Sequence, residues 1–318
     1  MSFALSLVLA TLIPLNDLGP APYAYGYYGG LWEEGSNTIP ADHAAAGLRR
    51  AALIQPLDAN GNPSPDGRIG FIAAGFDETS RIANAFSANT HLPPNVTFVN
   101  AAAPGFDAAH WILYRDPNYD RVRDSVLAPA GLTEKQVQAA WIELETDNPY
   151  SPLPIQDSDA YRLKSLLSES LRAMKKRWPN LQVAYLSSRV YGGYATTHWN
   201  PEPYAYEAGL TVRWTILGQI TLMRTGYLWD TRIGDVNYER GSAPWITWGP
   251  YLWADGTTPR SDGLTWTRDD FEPDGETLSE AGALKGAAQL RSFLMSEPTA
   301  SWLRIVETPV RLRPIRAR

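Results

Sequence analysis

Six carboxylates lie where this sequence passes from short apolar runs into loops or helices. Asp77 and Glu78 follow the run at residues 69–74, Glu143 and Glu145 close the run at 139–144, and Asp274 and Glu276 sit in the segment 270–282, ahead of a small-residue helix start. Carboxyl groups that converge on one crevice repel one another, which raises the pKa of at least one and leaves a general acid beside a general base. Such pairs cleave glycosidic bonds, and their separation decides whether configuration is inverted or retained. The same oxygens would suit a hard divalent cation, the one cofactor that the pattern admits. For any single acid the plain alternative is a solvated loop carboxylate of an acidic protein.

Other chemistry-bearing residues follow the apolar run at 182–186. Arg189, two positions before Tyr191, could bind a carboxylate, a phosphate or sugar hydroxyls through its planar fork; the alternative is an ion pair with Glu202 or Glu207. Ser187 and Ser188 in the same turn are candidate nucleophiles, with His198 close in sequence. Many of the 12 Trp and 16 Tyr, Trp253 among them, stand near Gly, Pro, Asn or Asp. Rings in such loops suit sugar faces, because they combine a large flat area with a polar handle.

The elements that must position these residues read from the periodicity. The run at 69–74, Gly75 and the segment 77–87 form a strand, a tight turn and a helix. Further strands are expected at 96–100, 139–144, 182–186 and 244–248, with a capping box at Thr133-Glu134-Lys135-Gln136. Ala160, Leu163, Leu167, Leu171 and Met174 mark one long helix, Leu210, Trp214, Leu217 and Thr221 line another, and residues 279–296 close the fold as a third. This alternation predicts a single α/β domain built on a mostly parallel five-stranded sheet with helices on both faces. Ligands of such sheets bind outside the carboxyl ends of the strands. That rule gathers residues 75–78, Gly105, residues 143–148 and 187–194 and the loop 249–277 around one crevice. The organisation expected is an irregular lead-in at 1–66 with a short helix near 43–54, the α/β domain at 67–300, and a basic tail at 301–318 carrying Arg304, Arg311, Arg313, Arg316 and Arg318.

Composition removes several functions. A net charge of -6 argues against a nucleic-acid surface, which needs clustered Lys and Arg. The absence of cysteine removes disulfides, thiolate metal sites and cysteine nucleophiles together. The apolar stretch at 3–13 has the length of a signal-peptide core and is too short to span a bilayer. Two readings of it stay open, the remnant of a trimmed export signal and a segment that packs on the domain. No phosphate loop, dinucleotide fingerprint or His-x-x-x-His zinc pattern occurs. A small-molecule or saccharide ligand is the partner these features leave.

Four stretches carry a family resemblance: residues 13–19, 185–195, 200–207 and 248–256. Over residues 14–300 the chain resembles exported bacterial proteins of the SGNH (GDSL-like) hydrolase superfamily. The resemblance implies a flavodoxin-like sheet, an extracellular or periplasmic setting, and a Ser-His-Asp site. It aligns the nucleophile turn with Gly75-Phe76-Asp77-Glu78, where Asp77 replaces the Ser, and the acid-base block with Asp274 and Thr277, where Thr277 replaces the His. Gly105 matches the glycine whose N–H helps bind the oxyanion, and Asn148 is the candidate for the oxyanion Asn. Both halves of the proton-transfer pair have changed, so ordinary ester hydrolysis is not expected from these positions.

Residues and resemblance together give a hydrolase-fold protein acting on a carbohydrate or carbohydrate ester. Its acid and base are expected to be Asp77 and Asp274, with Glu143 or Glu145 in support. Glu78, Gly105, Asn148, Ser187, Arg189, Tyr191 and Trp253 are expected to line the substrate. Two alternatives stand beside this: a non-catalytic saccharide-binding pseudoenzyme, and an esterase that recruits another Ser.

Overall fold

The computed structural model describes residues 12–23 and 26–304. Most of the apolar N-terminal stretch, residues 3–11, and the tail arginines beyond Arg304 lie outside the described residues. The chain begins with a helical turn α1 (Leu15–Leu18), a two-residue hairpin of β1 (Pro22–Tyr23) and β2 (Tyr27–Tyr28), and α2 (Ala41–Ala51). Then come β3 (Ile69–Gly75), α3 (Asp77–Asn89), β4 (Val96–Asn100), α4 (Pro117–Val122), β5 (Val137–Glu143), α5 (Asp159–Arg177), β6 (Val183–Leu186), α6 (Tyr204–Thr225), β7 (Trp245–Trp248) and α7 (Glu280–Ser296).

The main sheet runs β4-β3-β5-β6-β7, and all four neighbouring pairs are parallel. Numbered within the sheet, that order is 2-1-3-4-5, the flavodoxin-like order of doubly wound folds. Side chains alternate between the two faces. Ile72, Ala74, Ala184 and Leu186 pack with Leu163 and Leu167 of α5 and Ile216 of α6, while Phe71, Ala73, Val183 and Tyr185 pack with Ile82 of α3 and Leu290 of α7. Burial on both faces explains why these strands read as continuous apolar runs rather than alternating ones.

The lead-in is part of the same core, since Leu15 and Trp32 are buried with the α5 and α6 residues. The short 3-10 helix Pro298–Leu303 crosses residue 300 and buries Ala300 and Leu303. Helix α6 differs from expectation: Leu210, Ile216 and Ile220 are buried, whereas Trp214, Leu217 and Thr221 are only half-buried, on its outer side. Trp214 reads as apolar in the periodicity yet is only half-buried, because a ring can cap a surface groove as readily as it fills a core.

Gly75 sets how closely α3 approaches the end of β5. A Cβ at that position would fall 2.1 Å from Thr79 Oγ1 and 2.2 Å from the Glu143 carbonyl oxygen. Gly75→Ala is therefore expected to destabilise the fold by about 1–3 kcal/mol through overpacking. Urea unfolding reads this as a lower midpoint at unchanged slope; an unshifted midpoint would contradict this packing.

Candidate functional site

The crevice is organised around a buried arginine. After β6 the chain turns through Ser187 and Ser188 and buries Arg189 among three buried glutamates. Glu78 comes from the first turn of α3, Glu143 is the last residue of β5, and Glu145 lies two residues beyond. Arg189 Nη2 donates to Glu78 Oε2 at 3.3 Å, and its Nη1 meets the Glu145 carboxylate. Its Nε is 3.4 Å from Glu143 Oε1, at ion-pair distance without hydrogen-bond alignment. Glu78 Oε1 also accepts from the Val190 N–H at 3.1 Å, and the Thr79 hydroxyl donates to the Glu143 carboxylate. A planar guanidinium suits this role, since it presents donors in several directions at once.

Three buried carboxylates around one cation cannot all be ionised cheaply. Burial raises the Glu78 pKa, against the pull of Arg189. Burial, and next the charge of Glu78, push Glu143 up to about 8. Glu143 thus holds its proton through neutral pH. The positive group that these glutamates face is Arg189, and among the described residues no three Asp, Glu or His side chains form a group suited to a metal ion.

In front of this cluster opens a cavity of about 310 Å³ at the carboxyl ends of the strands, lined by Phe76, Asp77, Glu78, Pro104, Gly105, Glu145, Arg189, Thr197, Trp199, Asp274, Glu276 and Thr277. It sits at the point where the strand order reverses between β3 and β5, the usual ligand position of this topology. Asp77, at the first position of α3, accepts from Arg81 Nε at 3.0 Å. Trp199 stacks on Phe76 with ring centroids 5.9 Å apart and an 18° tilt, and stays 48% exposed at the rim. Gly275, at φ 74°, lets the acidic turn lie against the 194–196 loop, whose Thr196 N–H and hydroxyl both donate to the Asp274 carbonyl at 2.9 Å.

Asp274 and Glu276, two residues apart, have opposite proton affinities. Asp274 Oδ1 accepts from the Glu276 and Thr277 N–H groups, both at 2.9 Å, and Oδ2 from the Thr277 hydroxyl at 2.6 Å. These three donors outweigh its partial burial and hold its pKa below the usual range. Glu276 is raised, chiefly by burial, although the Thr197 hydroxyl donates to it. Its Oε1 is buried and has no partner among the described residues.

The structure brings Asp77, Glu78, Gly105, Glu145, Arg189 and Asp274 to the cavity wall, with Glu143 directly behind. It corrects four of the other expectations. Ser187 is buried and accepts from Trp141 Nε1 at 2.9 Å. Trp253 has no exposed surface and donates to Glu202 at 2.8 Å. Tyr191 packs on Tyr194 and Trp253, and Asn148 is an exposed turn residue at φ 55°; neither lines the cavity. Ser188 is likewise occupied, accepting from the Leu252 N–H at 3.0 Å, and the cavity lining contains neither Ser nor His. Asp274, expected as acid or base, accepts three hydrogen bonds from its own turn. Thr197 and Trp199 also line the cavity; their loop follows β6, and nothing local in the sequence marks its fold-back onto the acidic turn.

No family model matches the sequence, and no curated protein matches it. Solved structures of similar shape include a Bacteroides fragilis protein assigned to the acylhydrolases, at 9% identity and TM-score 0.40, covering 84% of this chain and 100% of that one. An acetyl xylan esterase matches at 12% identity and TM-score 0.36, over 70% of this chain and 98% of its own. A salicylyl-acyltransferase from a tetracycline biosynthetic pathway matches at 13% and 0.37, over 76% and 58%. Similarity at this level carries no argument about activity.

Replacing Arg189 by Leu would leave the glutamates without their cation. Breaking a buried pair on one side destabilises by about 3–5 kcal/mol. Glutamates whose folded pKa is raised stabilise fully below the unfolded value and lose that contribution as pH rises through the folded one. The Arg189→Leu deficit is therefore expected to be small near pH 5 and to grow toward pH 8, in urea titrations at both pH values. A deficit that shrinks with rising pH would contradict the charge arrangement.

Proposed function

We propose that the chain is a carbohydrate-active hydrolase that works from carboxylates, with Glu276 as proton donor and Asp77 as the second carboxylate. The observation that carries this reading is Glu276, an acid raised by burial, with an unpartnered oxygen, on the same cavity as an aspartate already paired to Arg81. Glycosidases use such a pair: one carboxylic acid protonates the departing glycosidic oxygen, while the other carboxylate activates water or attacks the anomeric carbon. Glu78, Glu145 and Arg189 offer acceptors and donors to sugar hydroxyls from the floor, and Trp199 offers a flat face at the rim. The resemblance to SGNH hydrolases supports a hydrolytic crevice at these strand ends, in an extracellular or periplasmic setting. Asp77 and Thr277 in the Ser and His positions argue against the ester chemistry of that family. A divalent cation is not needed for this scheme, because Arg189 supplies the positive charge.

A second reading, saccharide binding without turnover, is favoured by the Asp274-Thr277 turn. There the Thr hydroxyl closes the acid onto itself at 2.6 Å, leaving no base where the family has one.

Hydrolysis of unactivated oligosaccharides, whose sugar alcohol leaving groups need protonation, and of p-nitrophenyl esters by the parent, Asp77→Ala and Glu276→Gln proteins separates the two. General acid catalysis contributes about 10²–10⁴-fold, so Glu276→Gln is expected to lower kcat by about that factor on glycosides. Because the Glu276 pKa is raised, the parent's kcat/KM should fall on an alkaline limb above the ordinary glutamate range, and Glu276→Gln should lose that limb. Equal rates for all three proteins on every substrate, with saccharide binding retained, would establish the non-catalytic reading.

A further inference from the structure

A second cavity, of about 420 Å³, opens on the outer side of helices α5 and α6, away from the crevice lining, and shares no residue with it. Its size falls within the roughly 300–1,000 Å³ of small-molecule sites. Its inner wall is aromatic: Tyr161 stacks on Trp214 at 5.2 Å and 18°, and Tyr27 leans on Trp214 at 5.4 Å with its hydroxyl 3.0 Å from that of Tyr161. The outer wall is the segment that follows α6, and several bonds fix it. Gly226 ends the helix at φ 74°, Asp230 takes the buried ammonium of Lys164, Arg172 donates to the Ile233 carbonyl, and Gln219 donates to the Val236 carbonyl at 2.8 Å.

On this fixed segment Tyr227 and Trp229 are 71% and 75% exposed, and neither ring contacts another aromatic ring among the described residues. A tied-down loop holding two large rings in water offers a prearranged flat surface. The charges beside it are uneven. Lys164 and Asp230 neutralise each other, and the Asp230 Oδ1 also accepts from the Arg232 N–H at 2.9 Å. The Arg232 guanidinium lies 4.8 Å from the Tyr161 ring centroid and makes no hydrogen bond to a carboxylate among the described residues. The wall thus carries one surplus positive charge on a chain whose net charge is -6.

We infer that this cavity is a binding site for a short oligosaccharide bearing a carboxylate, with the sugar face on Trp229 and Tyr227 and the carboxylate on Arg232. A purely apolar ligand would cover the Arg232 guanidinium without giving it a hydrogen-bond partner. A flat ring edged with hydroxyls offers such a partner while covering the exposed aromatics, and a uronate supplies the charge that a planar guanidinium binds through two parallel hydrogen bonds. The inference does not depend on the crevice being catalytic.

Calorimetric titration of the full chain with oligogalacturonate, oligoglucuronate and oligomannuronate tests it, with the methyl ester of whichever binds as the uncharged control. The expected result is binding of at least one, weakened about tenfold or more by Trp229→Ala, as for a central aromatic contact. Arg232→Gln should bring the acidic form down to the level of its methyl ester. Asp77→Asn in the crevice should leave the affinity unchanged. Trp229 and Arg232 are exposed, so an unchanged thermal midpoint is expected for both variants and confirms that they are folded. The proposal is overturned if none of the three binds, if binding survives Trp229→Ala, if the methyl ester binds as tightly as the acid, or if only the Asp77→Asn variant loses affinity.

Discussion

The crevice depends on one buried cation. Arg189 enters from the end of β6 and meets carboxylates delivered by the β3–α3 turn and by β5 and its following loop, so a single guanidinium ties together three adjacent strand ends. Such a cluster is poor value as pure stabilisation, since well-packed apolar residues of similar volume often do as well. What it provides is a fixed charge pattern beneath a cavity. The first turn of α3 is held by Glu78 on Val190, and α3 in turn carries Asp77 and its partner Arg81.

The acids of the crevice differ because their surroundings differ, not because of their type. Asp274 is surrounded by N–H and O–H donors from its own turn, which hold its pKa below the usual range; Glu276, on the same turn, is buried with one oxygen unanswered among the described residues, and its pKa is raised. Two carboxyl groups of one turn are thereby given different proton affinities. Thr277 takes part in that separation. Its hydroxyl cannot shuttle a proton at neutral pH, but it fixes Asp274.

The tryptophans divide in the same manner. Trp111, Trp141, Trp178, Trp245, Trp253 and Trp266 are fully buried, whereas Trp199 and Trp229 are 48% and 75% exposed, one at each cavity. Several of the buried indoles donate to carbonyl or side-chain oxygens, Trp253 to Glu202 and Trp266 to the Leu252 carbonyl at 2.8 Å, which is how a polar ring enters a core without loss. Beside a Gly or Pro in the sequence, both kinds look alike.

The sequence by itself determined the sheet. Apolar runs and helical stripes gave all five strands of the main sheet to within a few residues, because burial on both faces of a parallel sheet imposes a pattern that is local along the chain. The same periodicity located the crevice through the rule that loops at the carboxyl ends of parallel strands bear ligands. Tertiary structure alone decided which of the gathered residues face that crevice. Ser187, two residues before Arg189, turns into the core to meet Trp141, while Thr197 and Trp199 reach the cavity because their loop folds onto a turn some 80 positions later, a distance set by Gly275 and the Asp274 carbonyl. It also decided which acid keeps its proton, since that depends on how many donors surround each carboxyl group in space, and spacing along the chain does not record that number.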